Sequence, residues 1–185
     1  MKKLWNNNDG VTTLEFALIS PAILLLMLGT VEFSLIMFTT SVMESATNNT
    51  ARMGKTGYTE PGLSREEMIV QNISEKTAGL LNPTDIIIDT TVYPLFDSVG
   101  QNEPFSDTNG NQMYNVGEPY SDVNGNGQWD ADMGAEGAGD ANDVVVYVVS
   151  YNWPIFTPLM NGIIGNTINI TVRTVVKNEP YNVTL

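Results

Sequence analysis

The chain has 185 residues, with 21 acidic and 8 basic side chains and neither cysteine nor histidine. A surface this acidic repels the phosphate backbone, which excludes nucleic acid as a partner. Without cysteine there are no disulfides and no thiol chemistry, and without histidine only oxygen donors remain for a metal. The length allows one globular domain beside a membrane segment.

An apolar segment occupies residues 10–40. Its sixteen residues 16–31 carry no charge, and a second apolar run follows Glu32. About 20 such residues cross the hydrocarbon core of a bilayer, so the segment predicts one transmembrane helix. Lys2 and Lys3 precede it, which by the positive-inside tendency leaves the N-terminus in the cytoplasm and exports the rest. The outline also fits a secretory signal peptide, but Glu15 at the front of the apolar core and the lack of a small-residue cleavage site after it oppose that interpretation.

The helix is predicted to continue beyond the membrane. After residue 31 no glycine or proline occurs before Gly54, so one helix could cover residues 11–53, about 65 Å at 1.5 Å per residue. Two shorter helices with a kink are the alternative. Gly54, Gly57 and Pro61-Gly62 indicate a break after it.

Glu15 is unusual in an apolar helix, since an ionised side chain inside a bilayer costs roughly 2.5–3.5 kcal/mol. It either lies at the headgroup level or has a partner. Cleavage of the chain after Gly10 would create an α-amino group on Val11, a cation that the Glu15 of a neighbouring subunit could neutralise.

Gly10, four further residues and then Glu15-Phe16 before a long apolar helix resemble the processing site of type IV prepilins. The pattern is most similar to TadE-like pseudopilins of the tight-adherence (Flp) pilus system, in which Pro21 and Glu32 also have counterparts. The resemblance implies a leader of residues 1–10 that a prepilin peptidase removes, and a Glu15 needed for processing or assembly. It implies other pilin subunits as partners. The major Flp pilins more often have Glu-Tyr and are much shorter, which favours a minor subunit.

The remaining residues, 54–185, are predicted to form an exported α+β domain. Ser64 and Glu67 make a capping box before an amphipathic helix of about residues 65–81. Three β-branched or alternating segments predict strands, and the apolar residues 153–160 predict a buried loop or short helix. The fold class is therefore α+β and pilin-like, with a helix packed on a small antiparallel sheet. Residues 144–181 also resemble the C-terminal part of TadE-like proteins. The strands are predicted at 86–93, 144–153 and 167–177.

An acidic insertion, residues 97–143, carries ten acids and no lysine or arginine. A fifteen-residue tandem repeat starts at Ser106 and again at Ser121, and each copy contains Asp-x-Asn-Gly-Asn. Side-chain oxygens at alternate positions of a glycine-rich loop suit Ca²⁺, which takes 6–8 oxygen ligands. The alternative is a flexible surface insertion without a fixed metal.

The two copies resemble the calcium loops of EF-hands and dockerins, without flanking amphipathic helices. In the first copy Gln112 replaces the turn glycine at position 6, whereas the second copy has Gly127 there. The second copy has Met133 at position 12, so its closing carboxylate would be Asp132 or come from elsewhere. The candidate ligands are Asp107, Asn109, Asn111, the carbonyl of Met113, Asn115 and Glu118 in the first copy, and Asp122, Asn124, Asn126, Gln128, Asp130 and Asp132 in the second.

These observations favour a pilin-like structural subunit, assembled through its N-terminal helix and stabilised by calcium. Its expected location is the inner membrane and, after assembly, an extracellular pilus. The alternative is an uncleaved single-pass protein whose exported domain binds calcium or a surface partner. An enzyme is not expected: paired carboxylates could cleave glycosides, but these carboxylates have metal-ligand spacing.

Overall fold

The computed structural model describes residues 10–55, 61–77, 79–137 and 139–180. Helix α1 (Val11–Lys55) is a single helix of 45 residues, about 67 Å long, and Pro21 lies inside it. The long helix is therefore observed, and the alternative of two shorter helices is not. The predicted leader before Gly10 and the Gly57 part of the predicted break lie outside the described residues.

Helix α2 (Arg65–Thr77) begins at the predicted capping box. The Ser64 backbone N–H donates to Glu67 Oε2 at 2.7 Å, and the Glu67 N–H donates to Ser64 Oγ at 3.2 Å. The helix ends four residues before the predicted end because the chain turns there: Gly79 has a φ of +79°, and the Leu80 N–H bonds the Thr77 carbonyl. Leu80 and Leu81 fit the apolar spacing of the helix, and the predicted helix is too long for this reason.

A four-stranded sheet has the order β2-β1-β3-β4. Strand β1 pairs antiparallel with β2 and β3, with Tyr93 opposite Val144. Side-chain hydrogen bonds join Ser150 to Thr171 and Asn152 to Asn169. The residue numbers rise on β3 as they fall on β4, so these two strands are antiparallel. The α+β fold with a small antiparallel sheet is thus confirmed. The bounds are β1 (Ile86–Tyr93), β2 (Ala135–Glu136), β3 (Val144–Pro154) and β4 (Thr167–Lys177), and α3 (Pro158–Ile164) lies between β3 and β4.

The chain divides into two compact units. The first comprises residues 1–40 and 152–170, and the second comprises residues 41–151 and 171–185. In the second unit the end of α1 contributes buried Met43, Ala46 and Ala51. Lys76 of α2 donates to Ser45 Oγ of α1 at 3.1 Å, which joins the two helices.

The start of β3 is buried on both faces, which explains its continuous apolar sequence. Val144 and Val146 pack with Tyr93 and with Met133, which belongs to the acidic insertion. Met133 thus packs the end of the insertion onto one face of the sheet. Gly134 is required at this junction, because a Cβ there would clash with the Thr91 methyl group and would lie 2.8 Å from the Tyr93 ring.

Candidate functional site

The start of α1 presents the three residues of the predicted processing site. Gly10 is exposed, and its carbonyl accepts the first helical hydrogen bond, from the Leu14 N–H at 3.1 Å. The helix begins at Val11, immediately after the predicted cleavage point. Glu15 is exposed, and its carboxylate has no hydrogen-bond or ion-pair partner among the described residues.

Large apolar side chains surround Glu15 and remain uncovered along the first half of α1. Leu14 is 68% exposed and Leu18 is 81% exposed. Among the described residues, α1 is the one helix long and apolar enough to cross a membrane. Its apolar surface requires lipid or other helices around it. The exposed large side chains of this part are Val11, Leu14, Phe16, Leu18, Ile19, Ile23, Leu24, Leu25, Leu26, Met27, Leu28, Val31, Phe33, Met37 and Phe38.

The second glutamate of α1, Glu32, is only 3% exposed and is surrounded by hydrogen-bond donors. The Trp153 indole N–H donates to Oε1 at 2.9 Å, and the Thr157 hydroxyl donates to Oε2 at 3.1 Å. The Phe156 backbone N–H lies 3.2 Å from Oε2 and 3.4 Å from Oε1. All these donors are neutral, and they hold the end of β3 and the residues that follow it against the helix. We call this arrangement the Glu32 latch.

The Glu32 latch was not predicted from the sequence, although one signal was present. A carboxylate between two apolar runs is costly unless it has partners. The partners lie 121 to 125 positions further along the chain, so local patterns could not identify them.

The first predicted calcium loop is a tight turn organised around Asp107. Asp107 Oδ1 accepts from the Gly110 N–H at 2.7 Å, and Oδ2 accepts from the Gln112 N–H at 2.7 Å. Asn109 Oδ1 accepts from the Asn111 N–H at 3.0 Å. Asn115 donates its side-chain N–H to the Met113 carbonyl at 2.6 Å. The structure therefore brings the predicted ligand residues of this copy into one loop.

The second loop repeats this geometry around Asp122. Asp122 Oδ1 accepts from the Gly125 N–H at 2.8 Å, and Oδ2 accepts from the Gly127 N–H at 2.9 Å. Asn126 Oδ1 accepts from the Gln128 N–H at 2.7 Å. Asp130 Oδ2 accepts from the side-chain amides of Asn124 at 2.9 Å and Asn126 at 2.6 Å.

Each loop is closed by one buried glutamate with equivalent bonds. Glu118 accepts from the N–H groups of Thr108 and Asn115, at positions 2 and 9 of the first loop, both at 2.9 Å. Glu103 accepts from the N–H groups of Val123 at 2.6 Å and Asp130 at 3.1 Å, at positions 2 and 9 of the second loop. Glu103 is thus bonded to the second loop in the same way as Glu118 is bonded to the first.

Asp132 does not take this closing position. Its Oδ2 accepts from the Tyr93 hydroxyl at 3.0 Å, and its Oδ1 accepts from the Gly134 N–H at 3.1 Å. Burial, followed by this hydrogen bond to Asp132, raises the pKa of Tyr93 above its ordinary value. Asp132 therefore anchors the end of the second loop to β1.

The structure shows that the repeat begins earlier than Ser106. Glu-Pro-aromatic-Ser occurs at 103–106 and again at 118–121, and the glutamate of each copy closes the loop of the other. The copies are joined by a bridge in which the Ser106 N–H donates to the Pro119 carbonyl and the Ser121 N–H to the Pro104 carbonyl, both at 2.8 Å. We call residues 103–132 the double loop.

Aromatic side chains at equivalent positions form the small core of the double loop. Tyr114 and Trp129 stack with ring centroids 4.5 Å apart and an interplanar angle of 13°. Phe105 meets both rings edge-on at 5.9 Å. The Trp129 indole N–H donates to the Glu103 carbonyl at 2.9 Å. These contacts make the double loop an ordered element.

Hydrogen bonds favour the ionised form of three carboxylates here. The Gln112 N–H, followed by those of Gly110 and Asn111, lowers the pKa of Asp107. The side-chain amides of Asn124 and Asn126 lower the pKa of Asp130. Burial alone would raise the pKa of Glu118, but the bonds from Asn115 and Thr108 outweigh it, and the net pKa is below the ordinary value.

The described part of the chain contains no group of three or more acidic side chains arranged to hold a metal ion. The carboxylates instead lie in separate turns, and most of their contacts are with amide groups. Each carboxylate has about four acceptor positions, so these bonds do not exhaust the oxygens that a cation could share.

A long apolar helix with one buried glutamate and two exposed ones, followed by an exposed acidic module, is the arrangement of a single-helix membrane-associated protein. A family model described as TadE-like protein matches residues 10–52, nearly the whole of α1. The resemblance recognised from Gly10, Glu15 and Glu32 is thereby confirmed, whereas that of residues 144–181 stays a prediction. No curated protein and no solved structure gives a significant match.

Proposed function

We propose that this protein is a pilin-like structural subunit of a tight-adherence pilus, processed after Gly10 and assembled through α1. The match of residues 10–52 to the TadE-like family supports the pilus association. The observation that carries the proposal is that the helix begins at Val11, directly after an exposed glycine. A peptidase cutting there would remove the leader and leave α1 complete.

Assembly would use the uncovered apolar surface of α1 and the carboxylate of Glu15. Glu15 lies four residues after Val11, about 6 Å along the axis of the same helix. A neighbouring subunit displaced along the filament would place its new Val11 amine beside this carboxylate. Pairing would remove the cost of an isolated charge among apolar helices.

Before assembly the subunit would span the inner membrane. Lys2 and Lys3 would keep the leader in the cytoplasm, where the prepilin peptidase would meet it, and the double loop would be exported. Other pilin subunits would be the partners in the filament.

The test is the intact mass of the protein taken from its native membrane. Loss of residues 1–10, with Val11 as the new N-terminus, is expected. A Gly10→Val variant provides the matched control, because it keeps the charge but places a branched side chain beside the bond to be cut, and it should retain its leader. A wild-type protein that still begins at Met1 would support the alternative, an uncleaved single-pass protein with an exported interaction domain.

We further propose that the double loop binds Ca²⁺ and is stabilised by it. The support is chemical: both turns carry aspartate and asparagine oxygens at alternate positions, and each is closed by a glutamate. In the first loop the ligands would be Asp107, Asn109, Asn111, the Met113 carbonyl, Asn115 and Glu118. In the second they would be Asp122, Asn124, Asn126, Gln128 and Asp130. Glu103, rather than Asp132, would close this loop.

A melting experiment on the full chain, in detergent, tests this second proposal. With a Kd of ~0.1 mM and ~1 mM calcium, binding would stabilise the folded state by ~1.4 kcal/mol. Melting should therefore shift upward with calcium and return after chelation, while magnesium, which demands stricter octahedral geometry, should have less effect. Equal melting with and without calcium would leave a metal-free insertion as the better description.

A further inference from the structure

The segment joining β3 to β4 is free of charge and partly uncovered. No charged residue occurs from 144 to 172, although 16% of the whole chain is charged. Within the segment Phe156 is 55% exposed and Ile164, at the end of α3, is 42% exposed. Exposed apolar side chains in a segment whose own sequence carries no charge indicate a surface that does not face water alone.

This segment packs against one particular level of α1. The Glu32 latch fixes Trp153, Phe156 and Thr157 there. One turn earlier along the helix, a Cβ added at Gly29 would lie 3.7 Å from the terminal methyl of Met160, so α3 also lies close to the helix. The level is therefore set by packing and by hydrogen bonds.

That level lies about one bilayer thickness from the start of α1. Glu32 lies 21 residues after Val11, about 31 Å along the axis, and a hydrocarbon core is about 30 Å thick. If Val11 lies at the inner boundary, Glu32 lies at the outer one.

We propose that Phe156 and α3 form an interfacial seat that rests in the headgroup region of the outer leaflet. The buried Trp153 ring supports the seat through its edge-on contact with Phe156, with ring centroids 5.3 Å apart. The exposed faces of Phe156 and Ile164 contact lipid, as do Val31 and Phe33 at the same level of α1, which are 59% and 63% exposed. The Glu32 latch orients the seat while keeping its own carboxylate away from lipid. This inference rests on the membrane anchoring in the proposed function, and goes beyond it by assigning lipid contact to a segment outside α1.

The test uses single nitroxide labels on the full chain in vesicles of phosphatidylethanolamine and phosphatidylglycerol. Because the protein has no cysteine, each variant carries only the label introduced. Phe156→Cys and Ile164→Cys probe the seat. Ile87→Cys is the matched control, an exposed isoleucine in β1, and Leu24→Cys in the middle of the apolar part of α1 reports the bilayer interior.

Collision with oxygen and with a water-soluble nickel chelate gives the depth of each label. We expect the oxygen-to-nickel ratio at Phe156 and Ile164 to be several-fold above that at Ile87 and below that at Leu24. Ratios at both seat positions equal to that at Ile87 would overturn the seat while leaving the anchor intact. A nickel-accessible label at Leu24 would instead contradict the anchoring itself. Spin–spin broadening at Phe156 that disappears on dilution with unlabelled protein would show that a second copy covers the surface, and would also overturn the proposal.

Discussion

Helix α1 and the double loop both carry carboxylates, but the two regions satisfy them differently. In the double loop, Glu103 and Glu118 are closed in by amide groups of their own module. In α1, Glu32 has three donors from the same chain, whereas Glu15 is exposed and without a partner among the described residues. The difference indicates that Glu32, Glu103 and Glu118 stabilise the fold. The exposure of Glu15 is what the proposed pairing with another subunit requires.

The sharpest test of this comparison is Glu15→Ala. We expect the variant to insert into the membrane normally and to be lost from filaments, because the partner's amine would have no counter-charge. Quantifying the subunit in sheared filaments and in membranes separates the two effects. Thr13→Ala, an exposed neutral change in the same turn, is the control and should assemble normally. Normal incorporation of Glu15→Ala would disprove the pairing with Val11.

The next largest effect is expected from Glu32→Ala. The substitution leaves the Trp153 indole, the Phe156 N–H and the Thr157 hydroxyl without their acceptor, which should destabilise the latch by about 3 kcal/mol. Hydrogen exchange by mass spectrometry should then show the Phe156 amide exchanging about 100-fold faster. Glu44→Ala, an exposed glutamate of the same helix, should leave that exchange unchanged. Unaltered protection in Glu32→Ala would mean that packing alone holds the segment.

Features of the fold that depend on residues close together in the chain could be predicted from the sequence, whereas those that depend on distant residues were not predicted. β1 and β4 have the predicted bounds because β-branched residues and alternation are local signals. The start of α2 was equally local, set by Ser64 and Glu67. β2, only two residues long within the insertion, gave no periodic signal and was not predicted.

The Glu32 latch and the bonds of Glu103 to the second loop are both long-range features, but only for the second does the sequence indicate the partner. The Glu32 latch depends on residues more than a hundred positions apart, so only the cost of a lone carboxylate pointed to it. The closing role of Glu103 could have been recognised, because Glu-Pro-aromatic-Ser at 103–106 is repeated at 118–121. When the repeat is taken to begin at Ser106, Glu103 falls outside it, and its equivalence to Glu118 is missed.

Within the double loop, Glu103→Gln and Glu118→Gln should have equal effects. Each substitution replaces one acceptor oxygen by an NH₂ group, which then faces a backbone N–H, so two donors meet. This should lower the free energy of unfolding by about 2 kcal/mol. Denaturant melts followed by near-ultraviolet circular dichroism measure both, and Asp97→Asn, an exposed acid outside the repeats, is the control. A large loss in only one of the two variants would break the equivalence between the loops.

The smallest expected effects concern position 6, where the two loops differ in sequence but not in backbone. Gln112 has a φ of +62° and Gly127 a φ of +79°, and both N–H groups bond the first aspartate of their loop. A side chain in this left-handed region costs about 1 kcal/mol or more relative to glycine. Gly127→Ala should therefore destabilise the second loop by about 1 kcal/mol, since open space around it removes any steric contribution.

Gln112→Gly should stabilise the first loop by roughly 0.5 kcal/mol, because it removes the strain of a side chain in the left-handed region. The gain is small because the greater freedom of glycine in the unfolded chain offsets part of it. The same melts measure this change, and Gln101→Gly, at an exposed position without a left-handed backbone, is expected to destabilise. Opposite signs for Gln112→Gly and Gly127→Ala would show that both loops need the same turn. Equal signs would mean that the Gln112 side chain makes a stabilising contact of its own.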